Sequence, residues 1–75
     1  MSTEPLRLTD EEIKKITYPL SITSAEREEV RALLKRLEAD GIWRQELYRE
    51  LLKLRGQYKI TDIARQAVEE ALFKD

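Results

Sequence analysis

Thr23-Ser24-Ala25-Glu26-Arg27-Glu28-Glu29-Val30-Arg31-Ala32-Leu33-Leu34-Lys35-Arg36-Leu37-Glu38-Ala39-Asp40-Gly41 is the stretch from which the fold can be read. Thr23 with Glu26 three residues on is a capping box, in which each side chain satisfies the other residue's backbone N–H. Val30, Leu33, Leu34 and Leu37 follow at the i, i+3, i+4, i+7 spacing that lines one helical face with apolar groups. Gly41 supplies the left-handed residue that ends a helix. A helix over 24–40 is therefore expected, one face in a core and the other charged.

Similar rules extend to both sides. Upstream, Thr9 and Glu12 form a second capping box, and Leu8 and Ile13 stand at the hydrophobic-staple positions. Asp10 and Glu11 put negative charge on the positive end of that helix dipole. This helix, 9–17, is short, because Pro19 biases Tyr18 away from helical geometry. Tyr18-Pro19-Leu20-Ser21-Ile22 reads as extended, with Tyr18, Leu20 and Ile22 tucked under the helices, as either a very short strand or a loop. Downstream, 42–55 is a third helix closed by Gly56. Its apolar set, Trp43, Leu47, Tyr48, Leu51, Leu52 and Leu54, is wider than one face and marks it as the central helix. Gln57 to Ile60 is a connector in which short strand pairing is likewise open. Thr61 caps a fourth helix, 61–74, with Ile63, Ala64, Ala67, Val68, Ala71 and Leu72 on its inner face. Ile22-Thr23-Ser24-x-x-Arg27-x-x-Val30 is echoed by Ile60-Thr61-Asp62-x-x-Arg65-x-x-Val68, two helices starting by the same rules. The expected fold is all-α, a compact four-helix domain with short connectors over 8–75, preceded by a flexible tail, 1–7, with little to anchor it beyond Leu6.

The composition narrows the function. The 75 residues hold 14 Lys+Arg against 15 Asp+Glu, a formal net charge of −1, with no Cys and no His. Thiolate nucleophiles, imidazole bases, disulfides and His/Cys metal sites are excluded. No apolar run approaches the roughly 20 residues that span a bilayer. No Gly-rich phosphate loop or calcium loop is present. Glu11/Glu12, Glu28/Glu29 and Glu69/Glu70 are sequence neighbours, which do not face one another on a helix. The expectation is no enzyme, no catalytic residue, no cofactor, no metal, no membrane partner and no small-molecule substrate, in a cytoplasmic protein.

Two binding readings remain. Trp43 reads as a core anchor or, if left exposed, as an interface hot spot. Tyr48 and Leu52 lie off the Leu47/Leu51/Leu54 line, so Trp43, Tyr48 and Leu52 form the candidate surface for a protein partner or for self-association. Arg27, Arg31 and Lys35 form an i, i+4, i+8 basic row, which reads first as a solvated face balanced by nearby Glu.

Two resemblances bear on this choice. Leu8-Thr9-Asp10-Glu11-Glu12-Ile13-Lys14-Lys15-Ile16-Thr17 followed by Leu34-x-x-Leu37-Glu38-x-x-Gly41-Ile42 resembles the core of winged helix-turn-helix regulators, over residues 9–43. It implies a bacterial or phage DNA-binding protein with helix 24–40 in the major groove and Arg27, Arg31 and Lys35 as its DNA contacts. The overall style, with Gly and Pro at helix boundaries, no Asn and only the initiator Met, resembles a computationally designed helical protein. The leading expectation is a non-enzymatic helical module, structural or protein-binding, of designed or redesigned origin; the helix-turn-helix protein is the alternative.

Overall fold

The computed structural model describes residues 4–73 and contains four helices: α1 (Asp10–Thr17), α2 (Ser24–Glu38), α3 (Arg44–Gly56) and α4 (Asp62–Leu72). The starts of α1 and α2 are those the capping chemistry dictates. Thr9 Oγ1 accepts from Glu12 N at 3.2 Å while Glu12 Oε1 accepts from Thr9 N at 2.9 Å. Thr23 and Glu26 repeat the pair at 3.1 and 2.9 Å. Thr61 Oγ1 caps α4 by accepting from Ala64 N at 3.2 Å. Thr9→Ala should therefore cost about 0.5–2 kcal/mol in chemical denaturation; an unmoved midpoint would mean that α1 contributes little to the cooperative unit.

The third helix starts later than expected. Ile42 exchanges two backbone hydrogen bonds with Leu6, each 2.8 Å, in an antiparallel bridge. Its N–H and C=O are thereby spent, so α3 begins at Arg44, with Trp43 as an N-cap that makes no side-chain bond. The same bridge ties down the described end of the expected tail. Pro5 packs on Gly41, and Arg7 Nη1 donates to Glu38 O at 3.4 Å. Residues 1–3 of that tail lie outside the described residues.

α1 packs on α2 and α4, and α3 packs on the same two helices, so the four close a ring around the core. The expectation of a single central helix does not hold: α3 has the same number of neighbours as α1. The core comprises Leu8, Ile13, Val30, Leu33, Leu34, Leu37, Ile42, Leu47, Leu51, Ile60, Ala64 and Val68. On α4 only Ala64 and Val68 are buried; Ile63, expected inside, is 75% exposed, and Ala71 is exposed as well. Between α1 and α2 the chain forms turns and a bend rather than a strand. Leu20 and Ile22 pack on the core but Tyr18 points out, 77% exposed.

The two glycines behave differently. Gly41 ends the α2 region with φ +86°, as expected, and a Cβ there would fall 2.5 Å from Pro5 Cβ. Gly56 is the last residue of α3 with nothing within 4 Å of its missing Cβ. The left-handed residue is Tyr58, φ 60°. Tyr58 N donates to Arg55 O at 3.0 Å and Lys59 N to Leu54 O at 2.9 Å, the paired bonds of a Schellman ending with Tyr where Gly is usual. Opposite results are therefore expected from one substitution. Gly56→Ala should stabilise by about 0.4–1 kcal/mol. Gly41→Ala should destabilise by about 1–3 kcal/mol through left-handed strain and the Pro5 clash. Thermal melts of the two variants check this, and a fall in Tm for Gly56→Ala would refute the assignment.

Candidate functional site

Two members of the basic row of α2, Arg27 and Arg31, reach the end of α1, while exposed Lys35 lies beside its first residue. Arg27 Nε donates to Thr17 O at 3.0 Å and its Nη2 to Leu20 O at 2.9 Å, with longer contacts to Tyr18 O and Ile22 O. Arg31 Nε donates to Thr17 Oγ1 at 2.9 Å, and that hydroxyl, fully buried, donates to Ile13 O at 2.7 Å. Lys35 Nζ lies 3.7 Å from an Asp10 carboxylate oxygen. The last carbonyls of a helix have no internal partner, and Pro19 has no N–H to offer one. The guanidinium of Arg27 fills that need. Against the expectation from Pro19, Tyr18 keeps helical geometry, at φ −59° and ψ −48°, with its N–H donating to Lys14 O. Arg27 and Arg31 are thus held by groups of their own chain, while Lys35 stays exposed to solvent beside an acidic residue.

Glu26 is the one charged side chain that is buried among the described residues, 7% exposed. Its Oε1 accepts from Thr23 N, closing the capping box. Its Oε2 accepts from Thr61 N, the N-cap of α4, at 2.9 Å. One carboxylate thus holds the starts of two helices. The Thr23 amide, then the Thr61 amide, lower its pKa below the ordinary carboxylate value, against a smaller opposing effect of burial. The second contact had no local sequence signal, because it joins positions 35 residues apart.

The candidate protein surface is only partly assembled. Trp43 is 45% exposed, so it is not a core anchor, and Tyr48 is 44% exposed. Leu52, one turn after Tyr48, is half-buried and lies outside the core cluster. Arg65 of α4 covers one face of the Tyr48 ring, its guanidinium carbon 5.5 Å from the ring centroid. Asp62, first, and Glu69 hold that guanidinium in place and raise its pKa. The Arg65–Tyr48 contact joins α3 to α4 and was not legible from helical spacing. Alongside α4 runs an open groove of about 900 Å³, lined by Pro19 and Leu20 on one side and Ala67, Ala71 and Phe73 on the other.

Among the described residues no group of three or more acidic, His or Cys side chains is placed to hold a metal ion. No helix there is long and apolar enough to cross a membrane. The chain matches no protein family, no curated protein and no solved structure.

Proposed function

We propose that this chain is a non-enzymatic helical interaction module that binds a protein partner through the Tyr48–Leu52 face of α3, with Trp43 at its start. The observation that carries this is the set of large aromatic side chains left at the surface of so small a fold. Half-exposed Trp and Tyr beside an ordered Arg are the residue types that dominate interface energies, and Arg65 restrains the Tyr48 ring before a partner arrives.

The helix-turn-helix alternative has less support. Contact with phosphate would require Arg27 and Arg31 to give up the carbonyls and hydroxyl they now hold. The idealised-scaffold reading meets a different difficulty. A designed backbone places Gly where φ is positive, whereas this chain has Tyr58 there.

The test compares two immobilised baits, the wild-type chain and a Trp43→Ser/Tyr48→Ser variant shown by circular dichroism to be folded. A protein retained by the first and lost from the second supports the proposal. Identical captures overturn it. So does duplex DNA binding that weakens strongly between about 50 and 200 mM salt, the signature of phosphate contact.

A further inference from the structure

We infer that the partner of the α3 face is an acidic amphipathic segment, one that sets an apolar side chain on Tyr48 and Leu52 and carboxylates on Arg49 and Lys53. The inference rests on the proposal above that this face binds protein, and adds the chemistry of what it binds. Residues four apart stack into rows along a helix. On α3, Leu47 and Leu51 are the buried row. Glu46 and Glu50 form the row that borders α2, where Glu50 Oε1 accepts from Arg36 Nη2 at 2.8 Å. Both acidic residues of α3 therefore lie on one side. The two rows beyond them, Arg44-Tyr48-Leu52 and Gln45-Arg49-Lys53, carry three bases and no acid.

Two of these bases are open to a partner. Arg49 is exposed and makes no hydrogen bond or ion pair with any described residue. Its position is clear of both ends of α3, so the helix dipole does not account for a cation there. Lys53 Nζ lies 3.3 Å from Glu50 Oε2, but its side chain is 61% exposed and that carboxylate is already shared with Arg36. An exposed i, i+3 pair of this kind is weak, and a second carboxylate can take the lysine. Arg55 and Arg65, by contrast, are held within the chain by Asp62 and Glu69. Beside the two open cations lie half-buried Leu52 and Tyr48, 44% exposed with one ring face covered by Arg65. Complementary charge steers and orients docking on such a face, and its apolar centre supplies affinity. A nucleic acid fits it less well. The chain has a formal net charge of −1, and two open cations beside an apolar pair make a short track for a phosphate backbone.

The test uses a display library of random peptides of about 16 residues, long enough for about four helical turns. Panned on the wild-type chain and depleted on folded Tyr48→Ser, it should return segments in which Asp and Glu exceed Lys and Arg by at least about three-fold. Arg49→Glu reverses the open charge at an exposed position, and its circular dichroism spectrum should match wild type. The selected segments should bind this variant at least about ten times more weakly than wild type. Their affinity for wild type should fall at least about three-fold between about 50 and 500 mM salt. Selected segments that are neutral or basic overturn the inference while leaving α3 a protein-binding face. A library that returns nothing dependent on Tyr48 overturns the reading of the face itself, and this inference with it. Unchanged affinity for Arg49→Glu also overturns the inference. So does a mixed-sequence DNA duplex that binds more tightly than the selected segments and is released by Arg49→Glu.

Discussion

Leu51→Ala is expected to lower the unfolding free energy by about 2–5 kcal/mol, the cost of removing a buried leucine and leaving a cavity that its surroundings fill only in part. Leu51 is fully buried, on a helix held from two sides by α2 and α4, so few of its neighbours can move inward to close the space. A domain of this size has only about 3–5 kcal/mol from a single core. The variant should therefore sit at the edge of folding at room temperature. Urea denaturation reads this as a large fall in midpoint with an unchanged slope. Leu52→Ala is the control. Its neighbour in sequence is half-buried and stands outside the core cluster, so its loss should cost less than about 1 kcal/mol. Equal shifts for the two variants would mean that α3 is rotated from the orientation described here.

Glu26→Ala is expected to cost about 2–3 kcal/mol, because it leaves the backbone N–H groups of Thr23 and Thr61 without their charged acceptor. The effect should exceed that of removing an ordinary cap, since the starts of both α2 and α4 are loosened at once. It also carries a pH signature. The folded-state pKa of Glu26 lies below its unfolded value, held there chiefly by the Thr23 amide and then by that of Thr61. The stabilisation is therefore complete above the ordinary glutamate value and is lost as the pH falls through the lowered folded-state value. Glu26→Gln keeps the shape and removes the charge, so its stability should fall less steeply than wild type over that acid range. Parallel pH profiles for wild type and Glu26→Gln would place the acid sensitivity in other carboxylates.

The helix starts were legible because capping is local chemistry. Thr9 with Glu12 and Thr23 with Glu26 lie three residues apart and meet in any chain that enters a helix there. The apolar positions of α2 were legible for the same reason, since one spacing rule selects Val30, Leu33, Leu34 and Leu37, and all four are buried. The candidate site was much less so. Helical spacing gives Arg27, Arg31 and Lys35 a common row, but it is silent on which neighbour the row meets. Arg27 meets the open carbonyls at the end of α1, Arg31 the Thr17 hydroxyl, and Lys35 the Asp10 carboxylate at the start of α1. Gly56 likewise looked like a helix terminator, yet the left-handed turn falls two residues later, at Tyr58, where the chain must swing back to bring Ile60 into the core and Thr61 to Glu26.

By itself the sequence determined the all-α class, the number of helices, the caps that start α1, α2 and α4, and the apolar stripe of α2. Each of these follows from interactions within about one helical turn, which the chain carries wherever it goes. Only the tertiary structure decided that Leu6 pairs with Ile42, that Glu26 joins two helix starts, that Arg27 closes α1, and that α4 buries Ala64 and Val68 while turning Ile63 outward. Those outcomes depend on which groups meet across the closed ring of helices. A side chain whose pairing energy comes from a partner distant in sequence carries no local mark of where that partner will be.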